Sequence, residues 1–196
     1  MAPIAKRPGD KPGGQGVLRI IGGTWRSRRL TFPERAGLRP TPDRVRETLF
    51  NWLQPWLPGA ICLDLFAGSG ALGFESLSRG AGQVVLVEQD AVAVGALRAN
   101  IALLEAVHAD VVQADARVFL QGAARAFDIV FLDPPYGSGL LAECCARLDA
   151  GGWIKKNGLI YLEAAGDQDL PLPATWTLLR SKRAGQVGYH LARNGA

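Results

Sequence analysis

Two segments of the chain set carboxylates beside residues that shape a ligand site. The first is Asp64-Leu65-Phe66-Ala67-Gly68-Ser69-Gly70, which ends the apolar run ICLDLF and opens a helical pattern. Open α/β sheets bind ligands at that position, just past the carboxyl end of a strand. Glycine lets the backbone turn tightly there and approach a ligand with no Cβ in the way. Gly68, Gly70 and Gly73 also satisfy G-x-G-x-x-G, and Glu88 ends the next run, VVLVE. That pattern suits a nicotinamide dinucleotide whose ribose Glu88 would hold. The carboxylate of Asp64 ahead of the glycines points elsewhere. It disfavours a pyrophosphate and favours a ligand with positive charge, such as S-adenosylmethionine with its sulfonium and ammonium groups. Glycine-rich strand-to-helix turns also occur in α/β proteins that bind no nucleotide.

The second segment is Asp133-Pro134-Pro135-Tyr136, at the end of IVFLD. Two prolines in succession fix an extended turn and leave carbonyl oxygens without competing amide donors. The exocyclic amino group of a nucleobase is a poor nucleophile, because its lone pair is delocalised into the ring. Methylating it is mainly a matter of aligning that lone pair with the methyl group. Asp133 and the Pro134 carbonyl can grip the two amino hydrogens, with Pro135 stiffening the turn and Tyr136 stacking on a base that has left its helix or loop. The plain alternative is a loop built on a favoured Pro-Pro turn.

The elements that must position these segments follow from the apolar pattern. Strand-length runs occur at Ala60–Phe66, Gln83–Glu88, Asp110–Gln113, Phe127–Asp133 and Gly158–Glu163. Helical patterns fall between them at about Ala71–Arg79, Ala91–Leu104, Ala116–Ala124 and Leu140–Leu148. Strand alternating with helix predicts an open α/β fold with right-handed crossovers. WTLLRSKRAGQVGYHLA reads as two further strands around Ala184-Gly185, an antiparallel hairpin at the sheet edge, so the mostly parallel sheet has seven strands. Upstream, Val17–Ile21 is β-like and closed by Gly22-Gly23, which makes a small N-terminal β-hairpin plausible. A helix then starts at Thr41, expected as its cap, with Pro42 in the first turn and Val45, Leu49, Trp52, Leu53 and Trp56 as its apolar stripe. The domain reading is a disordered tail over 1–16, a basic extension over 17–40 and the catalytic domain over 41–196.

At 196 residues, 48% hydrophobic and 20% charged, the chain suits one globular domain and excludes a wholly disordered or collagen-like one. No apolar run approaches the ~20 residues that cross a bilayer, and the start lacks the roughly 7–15-residue apolar stretch of a secretory signal. Cys62, Cys144 and Cys145 lack metal-type spacing, and His108 and His190 lie far apart without partners. A cytoplasmic protein with no metal and no disulfide framework is expected, a monomer in the simplest case. The net charge of +4 hides an asymmetry: 11 of the 22 Lys and Arg, but only 3 of the 18 Asp and Glu, fall in residues 1–46. A basic leader on a mildly acidic body is a handle for a polyanion, or else a solubilising tail. Arg26, Arg28 and Arg29 with Trp25 offer a basic-aromatic surface for RNA, joined by Arg39, Arg46, Lys182 and Arg183. Arg44 and Arg46 point about 200° apart on a helix. Arg44, with Thr41, is assigned to the cofactor pocket and Arg46 to RNA.

DLFAGSG, DPPY and the strand-end acids resemble the Rossmann-like S-adenosylmethionine-dependent methyltransferases that act on amino nitrogens of bases. RIIGGTWRSRRL (19–30), LRPTPDRVRETLFNWL (38–53) and KRAGQVGYHL (182–191) are similar to the bacterial 16S rRNA guanine-N2 methyltransferases, over roughly residues 17–193. The resemblance implies a Rossmann-like methyltransferase fold, with S-adenosylmethionine held by Asp64, Phe66, Ala67, Gly68 and Gly70. Glu88 with Gln89 would take the ribose, and Asp115 with Ala116 would meet the adenine unless Asp115 merely caps the following helix. Asp133 and its neighbours would hold the target amine. It also implies the 16S rRNA of the small (30S) subunit, or of an assembly intermediate, as partner. Three alternatives stay open at this stage: an amino methyltransferase of another RNA or of DNA adenine, a nicotinamide-dependent oxidoreductase, and a non-catalytic RNA-binding assembly factor.

Overall fold

Apolar runs bounded by turn residues fold as strands covered on both faces, and they frame this molecule. The computed structural model describes residues 14–34, 41–166 and 169–195. A two-stranded antiparallel hairpin, β1 (Gln15–Arg19) and β2 (Arg29–Pro33), precedes helix α1 (Asp43–Leu53). The chain then alternates through β3 (Ile61–Asp64), α2 (Ala71–Ser78), β4 (Gln83–Glu88), α3 (Ala91–Leu104), β5 (Ala109–Gln113), α4 (Ala116–Phe119), β6 (Phe127–Leu132), α5 (Leu140–Ala150) and β7 (Ile154–Ala165). It closes with β8 (Trp176–Ala184) and β9 (Val187–Asn194) around Gly185, whose φ of 62° suits glycine.

Seven strands form one sheet in the order β5-β4-β3-β6-β7-β9-β8. β3 to β7 pair in parallel, and β9 inserts antiparallel between β7 and the edge strand β8. The chain winds outward from β3 through β4 to β5, then returns to the other side of β3 as β6. That reversal is the switch point at which such sheets open a crevice. One core packs α1, α2, α3 and the hairpin against one sheet face, and a second covers the other face under α4 and α5. No helix among the described residues is long and apolar enough to cross a membrane.

The expected α/β architecture is borne out, with local differences. β1 opens at Gln15, so Gln15 and Gly16 belong to a strand rather than to the expected tail, whose residues 1–13 lie outside the described ones. Arg39 lies outside them too. α1 buries Val45, Arg46, Leu49, Phe50 and Leu53, while Trp52 is only partly covered and Trp56 exposed, because Arg46 and Phe50 take the inward positions. Its N-cap is Pro42 with no side-chain bond; Thr41 points its hydroxyl elsewhere. α4 stops at Phe119 instead of Ala124, since 121–126 are all exposed and offer no apolar face to dock. β7 starts at Ile154, ahead of Gly158, because a bulge around Asn157 (φ 62°) carries extra residues past β6.

Candidate active site

Side chains on neighbouring paired strands share a face at the same register, and alternate along each strand. Asp64 stands opposite Leu86 on one side and Phe131 on the other, and Phe131 stands opposite Tyr161. Stepping two residues on from Leu86, Phe131 and Tyr161 gives Glu88, Asp133 and Glu163. The four carboxylates therefore crown one face of four adjacent strand tips, β4-β3-β6-β7. That face is the one covered by α1, α2 and α3, and Asp64 sits a step deeper than the other three.

The glycine turn is built around two of these acids. Asp64 is buried, and its Oδ2 accepts the Gly73 N–H at 3.1 Å. A Cβ on Gly73 would come within 2.3 Å of Leu86, so glycine lets α2 close onto β4. Gly70 holds a left-handed φ of 78° as α2 begins. Glu88 accepts the Gly68 N–H at 2.9 Å and the Asp90 N–H at 2.8 Å, tying the turn to the next strand tip. A carboxylate has about four lone-pair sites, so Glu88 keeps capacity for two hydroxyls. Ala67 and Ala116 are buried, Phe66 is partly buried, and Gln89 is exposed beside Glu88. Asp115 caps α4 through the Arg117 N–H and pairs with the Arg117 guanidinium, whose hydrogen bonds hold its carboxyl below the usual range. In this structure it does what a helix cap does.

Burial pushes the Asp64 carboxyl up to about 7, helped by the charge of Glu88 and opposed by the Gly73 amide. A desolvated acid of this kind takes a cationic group well and a pyrophosphate badly. The turn therefore fits a ligand with an ammonium or sulfonium group, with hydroxyls for Glu88.

The second half of the site surrounds Asp133. Burial, then the charges of Glu163 and Asp64, hold its carboxyl well above the ordinary range, and the Thr41 hydroxyl, which donates to Asp133 Oδ2 at 3.5 Å, acts the other way. Glu163 is buried, and burial raises it against two phenols: Tyr161 donates to Oε1 at 2.8 Å and Tyr136 to Oε2 at 3.4 Å. Tyr136 is thus hung from Glu163 while 54% of it stays exposed. Pro134 is buried, and the Pro135 carbonyl accepts from the Ser138 hydroxyl at 2.6 Å. Glu163 and Tyr161 escape a motif search because they belong to a strand with no signature. The signal was an acid ending an otherwise apolar run beside the run that carries DPPY.

The basic residues divide. Arg46 is fully buried, donating to Glu75 at 3.4 Å, to Asp43 at 2.7 Å and to the Arg19 carbonyl at 2.9 Å, so it cannot meet RNA. Arg44 is the exposed member of the pair, at the first turn of α1. Arg26 is exposed on the turn of the N-terminal hairpin and Arg29 at the start of β2, and Arg28 donates to the Leu103 carbonyl at the far end of α3. Lys182 lies over Trp52, whereas Arg183 alternates to the other sheet face, beside Gly166. Among the described residues no group of His, Cys, Asp and Glu has the arrangement of a metal site.

A doubly wound sheet with an acid-led glycine turn at one tip and an acid before Pro-Pro-Tyr at the adjoining tip defines a Rossmann-like methyltransferase. The chain belongs to the family described as Conserved hypothetical protein 95, whose model matches residues 18–193. It is 50% identical over 184 residues to the Ribosomal RNA small subunit methyltransferase D of Escherichia coli (strain K12), covering 93% of each chain. The protein of that name from Haemophilus influenzae is 44% identical over 187 residues, covering 93% of this chain and 97% of its own. The solved structure of a putative methyltransferase, yhhF, from Escherichia coli superposes with a TM-score of 0.86 at 48% identity, over 91% of this chain and 98% of that one. A putative SAM-dependent methyltransferase from Streptococcus mutans, 16% identical with a TM-score of 0.67, shares the fold.

Proposed function

We propose that the protein methylates the N2 amino group of a guanine in 16S rRNA, in an assembled or assembling small subunit, with S-adenosylmethionine as donor. One observation carries this: Asp64 and Asp133 face the same side of adjacent strand tips at the switch point, so a donor on one meets an amine on the other. The names of the relatives that align over nearly the whole chain support rRNA of the small subunit as substrate.

Asp64 and the Gly68–Gly70 turn would hold the cationic amino-acid end of the donor, and Glu88 its ribose. When bound, the donor would supply a methyl group activated on a sulfonium, whose leaving group is a neutral thioether. Asp133 accepts one amino hydrogen and the Pro134 carbonyl the other, which aims the nitrogen lone pair out of the ring plane. Tyr136, held by Glu163, stacks on the flipped base. Asp133, made more basic by burial and by Glu163, takes the proton that leaves nitrogen after transfer.

The test is transfer of radiolabelled methyl groups to small subunits from a strain deleted for the gene, with the product mapped by primer extension and identified by mass spectrometry. N2-methylguanosine at one position is expected. Label on adenine, on another RNA, or on no acceptor at all overturns the assignment, and comparison with naked 16S rRNA shows which form is the substrate. Asp133→Ala is expected to lower turnover by about 10²–10⁴-fold with cofactor affinity retained.

A further inference from the structure

Along the flank of the sheet, the second half of α1 and the β8–β9 hairpin enclose a groove of about 370 Å³ lined by Trp52, Pro55, Trp56, Arg180, Leu191 and Arg193. Register sets its composition. Tyr189, Leu191 and Arg193 alternate onto the α1 face of β9, and Arg180 and Lys182 stand opposite Leu191 and Tyr189 on β8. Trp52 stacks on Tyr189 at 5.6 Å, Lys182 lies 6.0 Å from the Trp52 ring, and Arg193 lies 5.9 Å from the ring of Trp56, which is 44% exposed. Among the described residues no carboxylate lines the groove, and none of these three cations forms an ion pair with one. The Nε of Arg193 is buried with no hydrogen-bond partner.

Cations resting on indoles, with no described acid to neutralise them, have the chemistry to take an anion attached to a flat ring. Contacts of a cation with a ring at an exposed site are weak. A nucleotide improves both halves, since its base stacks on the ring and its phosphate takes the cation. We propose that this groove binds a single-stranded segment of RNA, with bases against Trp56 and Trp52 and phosphates on Arg180, Lys182 and Arg193. The proposal rests on the assignment of an RNA substrate and extends it to a defined surface. It also gives that RNA a direction. Tyr189 stands opposite Glu163 in the β7–β9 register, so the upper end of the groove adjoins the tips that hold Asp133. From Tyr189 to Arg193 it runs about 13 Å along β9.

The experiment compares the full-length protein with Trp56→Ala and with Arg180→Glu, neither of which removes a buried group. The probes are a labelled 12-nucleotide poly(A) RNA and small subunits from the deletion strain. Each variant is expected to weaken both probes by about fivefold to a hundredfold. Arg180→Glu should also flatten the dependence of log affinity on log salt by about 0.7. Affinity for S-adenosylhomocysteine, measured by calorimetry, should keep its wild-type value and so report an intact fold. Wild-type affinity of both variants for both probes overturns the proposal, even if the guanine is methylated as expected. Loss of subunit binding with poly(A) binding unchanged assigns the groove to a ribosomal protein and overturns RNA as its occupant. If the variants lose RNA while no guanine N2 is methylated, the groove stands and the proposed reaction falls.

Discussion

Asp64 near neutral pH is poised between its two protonation states, because burial lifts it from 3.8 to about 7. The sign of the consequence follows from proton linkage. Between about pH 4 and 7 the folded protein holds a proton that the unfolded chain has lost, so this carboxyl favours the fold at low pH and ceases to as the pH rises through 7. A cationic ligand reverses the preference by stabilising the carboxylate. The rise in melting temperature caused by S-adenosylmethionine is therefore expected to grow from pH 5 to pH 8, with protons released on binding below pH 7; a rise independent of pH would remove Asp64 from the cofactor site. Asp133 and Glu163 give a second test with a definite sign. The charge of Glu163 raises the Asp133 carboxyl, so Glu163→Gln lowers it and should move the acid limb of the kcat–pH profile to lower pH. A profile that merely drops in height would leave Glu163 a structural role only. These acids also show what was legible. Asp64, Glu88 and Asp133 stand in recognisable motifs, while Glu163 acquires its role only because β7 lies next to β6.

The N-terminal hairpin is fastened to the domain by one buried acid. Glu75, in the middle of the apolar helix ALGFESLS, accepts the Ile21 and Gly22 amides at 2.8 Å each, Arg46 at 3.4 Å and Arg79 at 2.6 Å. The Ser78 hydroxyl adds bonds to the Trp25 amide and the Gly22 carbonyl. At Gly23 a Cβ would meet the Ser78 carbonyl at 1.7 Å, so the Gly-Gly pair is a requirement of docking as much as of turning. Removing one partner of a buried ion pair strands the other, at a cost of about 3–5 kcal/mol. Glu75→Gln is expected to destabilise the protein by roughly that amount in urea unfolding, and adding Arg46→Met should recover part of the loss. If Glu75→Gln alone costs less than about 1 kcal/mol, the network does not fasten the hairpin. The 200° between Arg44 and Arg46 does separate them, but Arg46 is the inward residue and Arg44 the exposed one. A helix period fixes relative directions; which direction is inward depended on Glu75, 29 residues further on.

Over the whole molecule, the helices that follow β3 and β4 run back from the strand tips, so their carboxyl ends lie at the opposite pole from the site. The hairpin turn is bonded there, to Ser78 of α2 and Leu103 of α3, about 20 Å down α3 from the Glu88 tip. Arg26, on that turn, is therefore remote from Asp133, whereas Arg29 starts β2 opposite Arg19, whose guanidinium pairs with Asp43 at the start of α1. Replacing Arg26 and Arg29 by Ala is expected to weaken subunit binding more at low salt than at high salt, lowering the slope of log affinity on log salt by roughly one to two. Cofactor affinity should not change, and an unaltered slope would confine these arginines to the solvent. This placement also separates the basic leader, a single feature by composition, into an outer solvent-exposed part and the buried Arg46.

Local physics determined much of this protein from the order of its residues. Apolar runs of strand length, helices between them, the glycine turn after an acid and the stiff Pro-Pro turn all depend on neighbours a few positions apart, so the parallel sheet and both halves of the site were legible. Strand order, register and the inward face of α1 depend on residues far apart in the chain, whose pairing is settled only when the two cores close. The tertiary structure therefore decided that four acids share one face, that Glu163 holds Tyr136, that Arg46 is buried, and that a half-covered Trp52 and an exposed Trp56 lie beside three cations.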